Sequence, residues 1–266
     1  MFGFNRGAKA LAGKHAVVTG AGRGIGARIA HRLAENGANL TLLGRSLSGL
    51  ESTAADLRAA AKIEVNCLAC DVSQSAQVEA SFQAATEQLG AVSVLVNNAG
   101  QAESAPLVKT DEKLWQNLID VNLLGVFLCT RAVLPQMISQ KSGRIINIAS
   151  TAGLRGYPYV AAYCAAKHGV IGLTRSVALE VVKHGITVNA VCPGFTKTDL
   201  LEESVKNVAN LSGRSQPEVE QEFLKNLPQG RFIEPDQIAS AVIWLSLSEQ
   251  SSVTGQTIAI AGGESL

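Results

Sequence analysis

Thr19-Gly20-Ala21-Gly22-Arg23-Gly24-Ile25-Gly26 follows the apolar run His15–Thr19 directly and opens a segment with helical periodicity, Ile25–Asn36. Gly20 permits a tight turn, Gly24 lets backbone amides approach a pyrophosphate, and Gly26 allows a helix to pack closely on a strand. A glycine triplet alone is a weak signal. With a strand before it and a helix after it, the stretch reads as the first turn of a dinucleotide-binding βαβ unit. The spacing is G-x-x-x-G-x-G, not the G-x-G-x-x-G of other dinucleotide folds.

The same rhythm continues along the chain. Short apolar runs at Asn39–Leu43, Glu64–Ala69, Val92–Val96, Gly143–Ala149, Thr187–Cys192 and Thr257–Ala261 join the first as strand candidates. Their β-branched, nearly unbroken apolar character suits strands buried on both faces of a parallel sheet. Helical periodicity fills the intervals at Leu47–Ala61, Ser75–Leu89, Asp111–Gln140, Ala161–His184 and Pro235–Ser246. Seven strands in this alternation predict an α/β, Rossmann-type doubly wound parallel sheet with helices on both faces. No linker, repeat or low-complexity tract divides the chain, so residues 1–266 read as one domain. It begins with a loose leader, residues 1–13. Residues 195–230 form a polar excursion too long for an ordinary connection, of the kind that covers a site.

Composition narrows the partners. With 47% apolar and 17% charged residues, the chain buries one large core. A net charge of +1, with basic residues spread along the chain, leaves no footprint for nucleic acid or an anionic membrane, so the expected partner is a small molecule. Val121–Met137 is apolar but interrupted by Asn122 and Arg131, which argues for a buried helix and not a membrane span. Met1–Lys14 carries no export signal, and the protein is expected to be cytoplasmic. Cys67 and Cys70 resemble a metal or redox pair, yet three residues apart on a strand they point to opposite faces. Buried free thiols are the expectation for all five cysteines, no metal site is expected, and His15, His31, His168 and His184 lack ligand spacing.

The chemistry-bearing stretch is Tyr163-Cys164-Ala165-Ala166-Lys167, with Ser150 thirteen residues upstream. Four residues apart on a helix, Tyr163 and Lys167 share a face. A fixed cation beside a phenol favours its ionised form and brings its proton towards catalytic range. The spacing alone is common by chance.

Together with the glycine loop, these residues resemble the short-chain dehydrogenase/reductase family across nearly the whole chain. Further landmarks follow in order: Asp71-Val72 after the third strand, Asn97-Asn98-Ala99-Gly100 after the fourth, Asn122 in the long helix, Ser150 after the fifth, and Pro193-Gly194 after the sixth. The resemblance implies a catalytic tetrad of Asn122, Ser150, Tyr163 and Lys167. It implies cofactor contacts from Gly20, Arg23, Gly24, Ile25, Gly26, Arg45, Asp71, Val72, Asn98, Ala99, Gly100, Tyr163, Lys167, Pro193, Gly194 and Thr196. Taken singly, Asn122 reads equally as a satisfied helix polar residue, Ser150 as a cap and Asp71 as a turn former.

The second strand ends Leu43-Gly44-Arg45, where an acid would bind a free ribose 2′-hydroxyl and a guanidinium suits a 2′-phosphate, so NADP(H) is favoured over NAD(H). Ser150 would orient a substrate carbonyl, Tyr163 would protonate it, Lys167 would lower the phenol's pKa and hold the ribose, and Asn122 would hold a relay water. Gln101, residues 151–159 and residues 195–230 are expected to form the substrate pocket. Leu154, Tyr157 and Tyr159 would supply its walls, and Arg155, Lys197, Lys206 and Arg214 could meet an anionic handle, although most of these charges read first as ordinary solvated loop residues. Local sequence over residues 161–195 is similar to the 3-oxoacyl thioester and polyketide ketoreductases of the family. The expected activity is therefore hydride transfer between NADP(H) and a ketone, most closely a 3-oxoacyl thioester on CoA or a carrier protein. The alternatives are an oxidative 3-hydroxyacyl-CoA or secondary-alcohol dehydrogenase, and a non-catalytic dinucleotide sensor. The resemblance also implies a homotetramer. At the end, Ala261-Gly262-Gly263 stands where relatives often place an acid before the glycines.

Overall fold

The computed structural model describes residues 9–225 and 227–264. Among them, β1 (His15–Thr19), β2 (Asn39–Gly44), β3 (Val65–Ala69), β4 (Val92–Asn97), β5 (Gly143–Ile148), β6 (Ile186–Pro193) and β7 (Thr257–Ile260) form one parallel sheet in the order β3-β2-β1-β4-β5-β6-β7. The helices are α1 (Gly24–Glu35), α2 (Leu47–Ala60), α3 (Ser75–Leu89), α4 (Glu112–Ile119), α5 (Gly125–Gln140), α6 (Ala161–Val181), α7 (Asp199–Ser212), α8 (Gln216–Lys225) and α9 (Pro235–Ser246). The chain steps outward from β1 to β3, then crosses to β4 on the other side of β1. That reversal opens a crevice at the carboxyl ends of β1 and β4.

Alternation along the strands feeds two cores. Ala16, Val18, Leu40, Leu42, Val94 and Val96 pack with Ile29 and Leu33 of α1, Leu50 and Leu57 of α2, and Ile238 and Val242 of α9. Val17, Leu95, Ile145 and Val188 face the other way, onto Phe82 of α3, Val133 and Met137 of α5, and Val177 and Val181 of α6. Every residue of β1 is buried, and its register pairs Val17 with Thr41 on one side and Leu95 on the other. A one-residue slip would exchange the two faces.

Three elements differ from the sequence reading. The helix expected over Asp111–Gln140 is divided into α4, a π turn at Asp120–Leu124, and α5. By length and composition Glu112–Gln140 is apolar enough to cross a membrane, but its stripe of Leu128, Cys129, Val133 and Met137 lies in the second core. Residues 195–230 are not plain excursion but hold α7 and α8, joined by a small core of Val205, Ala209 and Val219. The end of the expected loose leader is docked: Leu11 is buried in the first core and its amide donates to the Asn36 carbonyl. The rest of that leader, residues 1–8, lies outside the described residues.

Candidate active site

At the carboxyl end of β1, Gly20 and Gly24 adopt φ of 66° and 56°, conformations that glycine reaches without strain. A Cβ on Gly20 would stand 2.9 Å from Ala99 Cα, and one on Gly26 would collide with the Gly20 carbonyl. Thr19, which the motif reading passed over, ties this loop to the next: its hydroxyl accepts hydrogen bonds from the amides of Asn98 and Ala99, both 2.9 Å. The Asn98 side-chain amide donates in turn to the carbonyls of Thr19 (3.0 Å) and Gly20 (3.1 Å). No side chain caps the start of α1 at Arg23, and no acid stands in its first turn. A glycine cradle leading into uncapped amides fits the pyrophosphate of a nicotinamide dinucleotide. Ile25 anchors the helix by packing on the first core.

Around this cradle the other expected contacts are spread unevenly. Arg45 is exposed at the end of β2, and among the described residues its guanidinium has no hydrogen bond or ion pair. Arg23 reaches the opposite way, to Asp199 and Glu203 of α7, both at 3.4 Å. Asp71 uses its carboxylate locally, accepting from the Ser73 amide (3.0 Å) and hydroxyl (2.7 Å). Val72 is buried against Gly125. Thr196 donates to the Gly194 carbonyl (2.9 Å), and the Gly194 amide to Ile260 (3.1 Å), which sets the chain beyond Pro193 over the end of β7.

The four residues of the expected tetrad converge at the carboxyl ends of β4, β5 and β6. Asn122 sits, fully buried, in the π turn. Its amide nitrogen takes the Leu118 carbonyl (2.9 Å), displacing the regular helical bond, and the Gln101 carbonyl (2.8 Å), while its oxygen accepts from the Gln101 amide (3.2 Å). Helix geometry is given up here to clamp the Gly100-Gln101 backbone. A Cβ on Gly100 would lie 2.9 Å from Asn122 Oδ1 and 3.7 Å from Lys167 Nζ, so the two side chains frame one small space.

Lys167 is 3% exposed and donates to the Ile148 carbonyl at 2.9 Å, with its Nζ 5.6 Å from the centre of the Tyr163 ring. Burial draws its ammonium down to about 8, with the neighbouring Cys192 thiol opposing. The Tyr163 phenol is pushed up to about 12 by burial, with a Ser150 hydrogen bond acting the other way. Burial governs the phenol in the cofactor-free protein, and Lys167 is not among the groups that shift it. Ser150 also caps the turn Thr151–Gly153, its hydroxyl accepting from the Ala152 amide at 3.1 Å. Glycine at 153 lets that turn touch the Lys167 carbonyl.

The expected pocket charges are largely spoken for. Lys197 pairs with Glu234 at 2.6 Å and Arg214 with Glu222, all partly exposed, while Lys206 is exposed on α7. Arg155 lies over the Tyr157 ring, 5.1 Å from its centre, and donates to the Glu264 carbonyl at 2.9 Å. Leu154 and Tyr159 are exposed. Cys67 packs against the first core and Cys70 belongs to the second, on opposite faces of the sheet. Sequence reasoning missed Glu264. The acid absent before the glycines appears after them, folded back so that its carboxylate accepts from the Tyr157 hydroxyl at 2.5 Å.

The chain is similar to known proteins of one family over nearly its whole length. The family described as short chain dehydrogenase matches residues 14–209. A 3-oxoacyl-[acyl-carrier-protein] reductase, FabG, of Staphylococcus epidermidis is 39% identical over 251 residues, covering 94% of this chain and 98% of its own. A variant of actinorhodin polyketide ketoreductase solved with NADPH superposes with a TM-score of 0.92 at 36% identity, covering 97% of this chain and 99% of its own. An NAD+-bound xylitol dehydrogenase superposes with a TM-score of 0.92 at 33% identity, covering 96% and 100%.

Proposed function

The chain belongs to the short-chain dehydrogenase/reductase family and is an oxidoreductase of C=O and CH–OH groups that uses a nicotinamide dinucleotide; from that premise we propose that it reduces the ketone of a 3-oxoacyl thioester with NADPH. The carrying observation is Tyr163: a phenol held at about 12 beside Ser150 is protonated at neutral pH, the state a proton donor to a carbonyl needs. The names of the FabG and polyketide relatives support the acyl-thioester substrate.

The bound dinucleotide supplies the hydride. Tyr163 gives its proton to the substrate oxygen, and Ser150 turns from Ala152 to hold that oxygen in place. Lys167, positively charged at neutral pH, stabilises the tyrosinate that forms and contacts the cofactor ribose. Asn122 fixes the Gly100-Gln101 backbone and holds the water through which Lys167 is resupplied with protons. Gly20, Gly24 and Gly26 receive the pyrophosphate, and Asp71, Val72, Asn98, Ala99 and Gly100 border the adenosine. Pro193, Gly194 and Thr196 border the nicotinamide. Arg45, with no protein partner among the described residues, receives the 2′-phosphate, which favours NADPH. Residues 195–230 cover the substrate, and Arg23 latches them to the glycine loop through Asp199 and Glu203.

The likeness to xylitol dehydrogenase favours a second reading, oxidation of a secondary alcohol by the same residues in reverse. The FabG and polyketide ketoreductase relatives favour the reductive reading over it. A non-catalytic sensor is disfavoured by the convergence of all four tetrad side chains. We assign the protein to the cytoplasm, in keeping with five unpaired cysteines. We also assign it a homotetramer, in keeping with the exposed Phe127, Leu179 and Val182 on α5, α6 and the turn after it. NADPH oxidation followed at 340 nm with acetoacetyl-CoA, longer 3-oxoacyl thioesters and cyclic ketones tests the substrate. Turnover of the thioesters is expected, and turnover confined to cyclic ketones or alcohols would reject the reading.

A further inference from the structure

Glu264 is 7% exposed, yet only one of its carboxylate oxygens is used. Oε1 accepts from the Tyr157 hydroxyl at 2.5 Å. Oε2 is buried without a hydrogen-bond partner, and among the described residues no cation lies within ion-pair distance of the carboxylate. The position is built, not incidental. Gly262 and Gly263, at φ of 58° and 90°, turn the chain back after β7. The Glu264 amide donates to Ala261 (3.1 Å), and Arg155 holds its carbonyl (2.9 Å). A side chain on Gly194 would collide with Oε2, so the free oxygen lies directly against the backbone beyond β6. Tyr157 lies four residues beyond the turn Thr151–Gly153 that Ser150 caps, and Gly194 lies two residues beyond Cys192, whose thiol meets the Ser150 backbone.

A buried acceptor with nothing to accept from is costly, and the cost is relieved only when a donor arrives. We propose that Glu264 is a specificity-determining residue of the substrate pocket: its Oε2 accepts a hydrogen bond from a hydroxyl carried by the substrate on the side of the carbonyl facing Tyr157. This rests on the reading of residues 151–159 as the substrate wall, and it narrows the substrate class to hydroxylated oxoacyl chains. Oε2 is offered as an acceptor, so the group selects hydroxyl-bearing chains over their deoxy counterparts.

The test compares kcat/KM for the N-acetylcysteamine thioester of 3-oxohexanoate with those of its 4-, 5- and 6-hydroxy derivatives. In the unmodified protein at least one hydroxy form is expected to exceed the parent by about tenfold or more, the range for a buried acceptor that gains its partner. Glu264→Gln should reduce that ratio several-fold, whatever it does to the absolute rates, with NADPH affinity followed by fluorescence titration. Tyr157→Phe should preserve the ratio, because Oε2 remains. A purely structural clasp predicts instead that both variants slow all substrates alike, and that result overturns the proposal. If Glu264→Gln does not fold, the unmodified protein still decides: no hydroxy form above the parent rejects the inference. Failure to reduce any of the thioesters rejects the proposed function instead, so the two failures are distinguishable.

Discussion

Replacing Lys167 by Met should flatten the pH dependence of the cofactor-free protein's stability. The side chain is 3% exposed and burial holds its ammonium at about 8, against 10.5 in the unfolded chain. Between those values the unfolded state binds the extra proton, so stability rises with pH as the folded protein sheds an unfavourably buried charge. The full difference is worth about 3 kcal/mol, of which about 2 kcal/mol is realised between pH 7 and 9.5. Cys67, Cys70, Cys129 and Cys192, all raised by burial, destabilise the fold at the upper end of that range. Cys67, Cys70 and Cys129 are common to both proteins and cancel in the comparison, whereas Cys192, which Lys167 holds lower, rises further in the variant and widens the gap in the same direction. Tyr163, raised to about 12, contributes only above pH 10, where the unfolded phenol ionises first. Urea unfolding of the unmodified protein and Lys167→Met at half-unit pH steps provides the difference directly. The unmodified protein should gain about 2 kcal/mol on the variant by pH 9.5. Parallel curves would mean that the ammonium is not held in a desolvated site, and the electrostatic part of the mechanism would fall with it.

Arg45→Asp should raise the KM for NADPH at least about tenfold and leave that for NADH unchanged or lower, since it exchanges the expected 2′-phosphate partner for a hydroxyl acceptor. Steady-state kinetics with both cofactors decide, and an unmodified protein that already prefers NADH sinks the assignment. Thr19→Val keeps the shape but strands the amides of Asn98 and Ala99. It should destabilise the protein by about 2–4 kcal/mol in urea unfolding, and a change below about 0.5 kcal/mol would contradict the role given to that hydroxyl.

Much of the architecture is legible because local pattern and global fold agree. The β1 run His15–Thr19 is buried on both faces, and Gly20, Gly24 and Gly26 each occupy a position where a Cβ meets strain, close contact or both. Where the reading falters, a specific side chain overrides the pattern. Asn122 has no periodic signature that announces a π turn; its amide diverts the Leu118 carbonyl, which only the folded arrangement reveals. The helices α7 and α8 escape notice because their apolar residues, such as Val205, Ala209 and Val219, are sparse among polar ones. Glu264 is hidden for a different reason: its partner Tyr157 is 107 positions away, and no local spacing connects them. The desolvation of Tyr163 is likewise out of reach of the motif, because it belongs to the packed site.

Tyr163 is the group assigned to protonate the ketone, and the decisive measurement is the rate of NADPH oxidation with acetoacetyl-CoA by Tyr163→Phe set beside that of the unmodified protein. A fall of about 10² to 10⁴ in turnover is expected, with NADPH affinity retained. A Tyr163→Phe protein that reduces the ketone at the unmodified rate would contradict it.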